Sequence, residues 1–271
     1  MSARTDLTPG RQATYDQAAE LGYSERQLGA LGAFLERGWT LNQFRAAEHI
    51  RRFRITTPRV LGNTVFRGEE RTEAAVKLFL GRLRKGTPKR APIIDTAQLT
   101  SKHRYYFLTR AAHRLFGEPR KAAGALGIVS LATHYGVLLY VTKNADREKL
   151  TESEFADIFP SLVGPHFEPT RYYRNHAVDP PRLGFVFVST GASTAEELKK
   201  FRNRIIGERR RNAAWSYGML DEPGAFEVGV VAATAAKCAE LENALTSNWP
   251  ELTFVFEQHK ELQPVIERRP S

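Results

Sequence analysis

Twelve lysines and arginines lie between Lys77 and Lys121, opposed only by Asp95 and Glu118, a local excess of +10. Because the whole 271-residue chain also carries +10, the remainder nearly cancels. Dense positive charge of this kind suits a polyanionic partner, above all the phosphates of nucleic acid. A second cationic group, Arg209-Arg210-Arg211, is followed by Trp215 and Tyr217. Cations interleaved with aromatics grip single-stranded or distorted nucleic acid, although cations at a helix C-terminus are also favoured by the helix dipole.

Signals for catalysis are sparse. Glu168, Asp179, Glu196 and Glu197 are the candidate metal ligands, but the last two are more simply first-turn acids of a helix. The seven histidines have no metal-ligand spacing, and the single cysteine, Cys238, excludes an internal disulfide and a multi-cysteine zinc site. Its spacing with Leu241 and Leu245 points to helix core. Tyr105, Tyr172 and Tyr173 stand in basic surroundings as candidate nucleophiles for strand transfer. A phosphate-cradling Gly-rich loop, His-Glu-x-x-His and Gly-x-Ser-x-Gly are all missing. Neither a cofactor nor a bound metal is expected.

The elements that must position these residues begin with two short helices, around Arg11 to Leu21 and from Ser24 to Arg37. From Leu41, Phe44, Ala47 and Ile50 mark a helix that breaks at Arg54-Ile55-Thr56. Thr57-Pro58 starts another, running through Phe66, because Thr caps free amides and Pro at the first position loses nothing. Thr72 caps a third, with Ala75, Leu78, Phe79 and Leu83 expected inward and Lys77, Arg84 and Lys85 outward. A strand around Ala91 to Asp95, a loop and the aromatic strand Tyr105 to Leu108 complete the order of a winged helix-turn-helix. Ala122 to Val141 reads as helix. Five prolines from Pro160 to Pro181 mark a domain change, placed near residue 150. Beyond it, buried strands Leu183 to Ser189, Phe226 to Ala232 and Leu252 to Phe256 alternate with helices opened by Ser193 and Thr234, which implies an α/β layer.

On this reading the helix from Thr72 to Lys85 enters the DNA major groove. Thr56, Thr57 and Arg59 meet a phosphate, and Lys77, Arg84, Lys85, Lys89 and Arg90 continue the positive face. Lys102, His103 and Arg104 form the tip of the wing, and Arg209, Arg210 and Arg211 add a second contact.

Thr56-Thr57-Pro58, the Leu78 to Leu83 helix ending in a basic turn, and Arg104-Tyr105-Tyr106-Phe107-Leu108-Thr109 leading into a helix together resemble the replication-relaxation family. That family belongs to plasmids and other mobile elements and is associated with DNA replication, nicking or mobilisation. The resemblance continues more loosely through Leu183 to Phe256. It implies a restriction-endonuclease-like C-terminal domain, with an acid after a proline and an acidic pair on the next strand to hold a divalent metal. This chain departs from the pattern. In Glu168-Pro169-Thr170-Arg171, Thr170 stands where aspartate is expected, and Phe185-Val186-Phe187-Val188-Ser189 ends in Ser189 with no acid. Neutral residues do not replace carboxylates around a hard cation. A nuclease-like domain without nuclease activity is therefore expected.

The fold class expected is α+β: N-terminal helices over 1–40, a winged helix-turn-helix domain over 41–145, and an inactive α/β nuclease-like domain over 150–271. The function expected is that of a double-stranded DNA-binding accessory or regulatory protein of plasmid or mobile-element replication or transfer. The alternatives are a metal-dependent DNA nuclease with displaced ligands and a winged-helix transcriptional repressor. Double-stranded DNA, a second copy of the chain, and replication or transfer proteins are the expected partners. With no apolar run of about 18 residues and no apolar signal core, the cytoplasm is the expected compartment.

Overall fold

The computed structural model describes residues 9–69, 71–87, 90–119, 121, 123–160, 163, 169–206 and 226–268. The chain is α+β and divides into two compact units, Met1–Gln98 with His103–Ala125, and Leu99–Lys102 with Leu126–Ser271. The change of unit after Ala125 falls earlier than the proline-rich stretch predicts. The reason is that the apolar helix following it, α7 (Ile128–Lys143), packs on the sheet of the second unit.

The first unit holds α1 (Pro9–Glu20), α2 (Glu25–Glu36), α3 (Leu41–Phe53), α4 (Pro58–Thr64), α5 (Glu73–Lys85), β1 (Ile94–Gln98), β2 (Arg104–Leu108) and α6 (Arg110–Leu115). Ser24 and Thr40 cap α2 and α3 through reciprocal bonds with Gln27 and Gln43, while Thr57, Thr72 and Thr109 cap α4, α5 and α6. Arg54, in the left-handed region, stops α3. The β1–β2 pair is antiparallel from Ile94 opposite Leu108 to Gln98 opposite Arg104. The first strand thus begins three residues later than the sequence indicates, which tightens the hairpin. Thr56 exchanges two backbone hydrogen bonds with Tyr106, of 3.0 and 2.9 Å, so the link into α4 is stitched to the hairpin.

Phe34, Phe44 and Phe116 meet at 5.0 to 5.8 Å between ring centres, at the middle of a core that also takes Ile50, Leu61, Val76, Leu80, Leu83 and Ile94. Beside this core Arg51 is buried and paired on both sides. Its Nε and Nη2 donate to Glu48 at 2.6 and 2.8 Å and its Nη1 donates to Glu118 at 2.9 Å. Its guanidinium also stands 5.1 Å over the Phe116 ring.

The second unit is built on a five-stranded sheet in the order β3 (Arg147–Lys149), β4 (Tyr172–Asn175), β5 (Arg182–Val188), β6 (Phe226–Ala232), β7 (Thr253–Gln258). The first two pairings are antiparallel and the last two parallel. Strands β3 and β4 fall where sequence periodicity indicates only a proline-rich boundary, because each is too short to show alternation. One face carries Tyr172, Phe185, Phe187, Val228 and Val230 beneath α8 (Glu152–Ile158), α9 (Thr194–Phe201) and α10 (Ala235–Asn248). The other receives α7; α11 (Gln263–Ile266) follows β7 and contacts α7. Covering on both faces explains why β5 and β6 are nearly unbroken apolar runs.

Two glycines make room on the α7 face. A Cβ at Gly184 would overlap the ring of Tyr173, and one at Gly229 would overlap the ring of Tyr140. Gly229→Ala is expected to lower stability by about 1–3 kcal/mol through overpacking. Chemical denaturation followed by circular dichroism measures this, and an unchanged midpoint would contradict the packing described.

Candidate nucleic-acid interface

The turn between α4 and α5 is held by charge and ring contacts. The Arg71 guanidinium stands 4.2 Å over the Phe66 ring and pairs with Glu69 at 2.7 Å. Arg45 reaches Glu69 at 3.5 Å and donates to the Val65 carbonyl at 2.6 Å. From this turn α5 leaves with Val76, Leu80 and Leu83 fully buried. Its inner face therefore differs from the expected one. Leu83 and, partly buried against the Phe66 ring, Phe79 are common to both, whereas Ala75 is exposed and Leu78, expected in the core, is 70% exposed. Both sets satisfy helical spacing, since α5 is apolar around most of its circumference; packing within the folded unit selects between them.

This rotation sets what α5 presents. Leu78, Arg82 and Lys85 lie along one exposed line at i, i+4 and i+7, with Ala74 and Ala75 one turn earlier. Arg84 and Lys77 flank it, and Lys77 pairs with Glu73 at 2.8 Å. Arg82, Arg84 and Lys85 form no ion pair with any described residue. Arg82 is an addition to the residues singled out from sequence. It lies inside the basic segment, but the rotation expected from sequence gives it no role.

The other expected contacts divide sharply. Thr56 is fully buried, with its hydroxyl 3.1 Å from His49 Nε2 and its backbone committed to Tyr106, so it has no group to offer a phosphate. Thr57 is buried and spends its side chain on the Val60 amide, and Thr72 likewise caps the Ala75 amide. Arg90 turns to the fold, donating to the Gly38 carbonyl at 2.6 Å and standing 5.3 Å over the Trp39 ring. Arg59, His103 and Arg104 are exposed. Lys102 is exposed too, but it belongs to the Leu99–Lys102 segment that packs as part of the second unit. Lys89 and Arg209, Arg210 and Arg211 lie outside the described residues.

In the second unit Thr170 is half-buried in the turn before β4. Ser189, 1% exposed, faces Glu197 Oε1 at 3.4 Å. That same oxygen accepts from the Thr190 and Ala192 amides, so Glu197 ties down the loop after β5. Glu196 completes the α9 capping box, Asp179 is exposed, and Glu168 lies outside the described residues. Among the described residues no group of three or more His, Cys, Asp or Glu is placed to hold a metal.

The candidate nucleophiles are all buried. Tyr105, Tyr172 and Tyr173 are at most 1% exposed, so none presents its hydroxyl to a phosphodiester. Tyr173 instead donates to Glu227 at 2.6 Å and lies 3.1 Å from the Tyr140 hydroxyl. Burial, reinforced by Tyr140 and Glu227, keeps Tyr173 protonated far above the usual phenol range, and burial lifts Tyr140 to about 12. Glu227, also bonded by Asn175, gives no signal in the sequence because it sits inside an apolar strand. Cys238 is partly buried on α10, and burial raises its thiol.

Compared with protein-family models, curated proteins and solved structures, the chain matches none of them. No helix among the described residues is long and apolar enough to cross a membrane.

Three buried groups set the acid limit of these units. Burial alone would raise Glu118, but the neighbouring His113 and the charges of Lys121 and Arg51 bring it down to about 2. Hydrogen bonds from His259, Arg147 and Lys143 do the same for Glu257, also to about 2. Burial and the Arg52 charge hold His49 neutral down to about 3. All three lie below their unfolded values, so their stabilisation is present at neutral pH and is lost on acidification. The melting temperature is expected to fall first below pH 6.5 and more steeply between pH 4.5 and 2. Glu118→Gln is expected to cost about 2 kcal/mol at pH 7 and to flatten the lower limb; a pH series of thermal melts checks both.

Proposed function

We propose that the first unit is a winged helix that binds double-stranded DNA, with α5 in the major groove and the β1–β2 hairpin as the wing. The chain would serve as a non-enzymatic accessory or regulatory protein of plasmid or mobile-element replication or transfer. The observation that carries this is the exposure of Arg82, Arg84 and Lys85 on a helix whose opposite side is anchored in the core. The helix dipole favours cations at that end, but it does not require that they face solvent with no carboxylate partner among the described residues. A helix of ordinary diameter fits the major groove, and cations along its edge hold phosphates in register. Arg104 adds an exposed cation at the start of the second hairpin strand.

The second unit then acts as a nuclease-like scaffold lacking the acids that a divalent metal needs. Thr170 and Ser189 occupy the two positions at issue, and Ser189 is enclosed. Supercoiled plasmid incubated with the protein and Mg²⁺ or Mn²⁺ should remain uncut.

Fluorescence anisotropy with a mixed-sequence duplex tests the DNA-binding assignment. Affinity should fall linearly on a log–log salt plot by roughly 0.9 per phosphate neutralised. The triple variant Arg82→Ala, Arg84→Ala, Lys85→Ala should weaken binding at least about tenfold and reduce the slope by roughly 0.9 for each phosphate no longer neutralised. Unchanged affinity and slope would reject this face.

A further inference from the structure

Leu78 is the most exposed large apolar side chain of the described residues, and it sits on an exposed helix face that also carries Arg82 and Lys85. An exposed leucine gives up the stabilisation that burial would supply, so its place in the line with Arg82 and Lys85 is not explained by the fold. Gly81, beside it, points the same way. A Cβ there would meet nothing within 4 Å and its backbone is helical, so neither packing nor conformation calls for glycine. Glycine in a helix interior costs about 1 kcal/mol relative to alanine. What it provides on an open face is close approach of a partner to the helix backbone. With Ala74 and Ala75 the face is low, apolar at its centre and cationic toward its C-terminal end.

We infer that this face reads base edges by apolar contact with thymine methyl groups, Leu78 being the specificity-determining side chain and Arg82 and Lys85 holding the flanking phosphates. The inference rests on the DNA-binding assignment above and names the feature that the helix recognises. In the major groove the 5-methyl group is the one apolar mark among the base edges, and small or aliphatic side chains are its partners. Charge complementarity selects a polyanion over an apolar protein surface. A second copy of the chain would have to bring the same cations against themselves, at the cost of like-charge repulsion.

The test uses the full-length protein and two 20-base-pair duplexes of alternating dA and dT, one with every thymidine replaced by deoxyuridine. The two differ in the groove only by the methyl groups. A buried methyl is worth about fourfold, so the protein should bind the thymidine duplex at least about fourfold more tightly. Leu78→Ala, folded because the side chain is exposed, should bind both duplexes equally and still show the steep salt dependence. Salt-dependent binding without thymidine preference would overturn this inference and leave the DNA-binding assignment standing. Absence of duplex binding would remove both. Loss of self-association in Leu78→Ala, seen by sedimentation, would assign the face to a second copy instead.

Discussion

Val76, Leu80 and Leu83 are wholly buried, and their burial sets the rotation of α5. A helix with apolar residues on several sides has more than one face it can turn inward, and the choice decides which charges reach solvent. Here the chosen rotation leaves Leu78, Arg82 and Lys85 along one outward line, with Arg84 beside them. The turn before the helix is fixed separately by Arg71, Glu69 and Arg45, which limits the helix to that setting. What the first unit presents to solvent depends on this geometry more than on its total charge.

Much of the polar content near α5 serves the fold. Thr56, Thr57, Thr72 and Arg90 satisfy backbone groups or pack on rings, and Glu48, Arg51 and Glu118 form a buried cluster tying α3 to the chain after α6. Arg51 is matched on both sides, by Glu48 and by Glu118 Oε1, while Glu118 Oε2 has no hydrogen-bond partner among the described residues. Every such residue is withdrawn from any ligand. The exposed cations that remain are fewer than the sequence total implies; α5 carries Arg82, Arg84 and Lys85 among them, and others such as Arg59, Arg67, Arg104 and Arg110 lie elsewhere on the first unit.

The second unit shows the same economy. Tyr140, Tyr173, Asn175 and Glu227 satisfy one another beneath α7, in space left by Gly184 and Gly229. A tyrosine that looks reactive beside basic neighbours in sequence is here a buried donor to a carboxylate. Glu197, which reads as a simple first-turn acid, is enclosed and organises the loop after β5. Packing thus assigns these groups to the scaffold.

The α+β class and the starts of most helices were legible in the sequence, because caps such as Ser24, Thr57, Thr72 and Ser193 act on amides within a few residues. The long apolar runs of β5 and β6 likewise declared burial on both faces. Strands β3 and β4 were not legible, since three or four residues carry no periodic signal. The inner face of α5, the placing of Arg90 on Trp39, the withdrawal of Thr56 and the partnership of Tyr173 with Glu227 were decided only in the tertiary structure. Local hydrogen bonding is set by neighbours along the chain. Which side chains remain outside depends on residues that folding brings from far away.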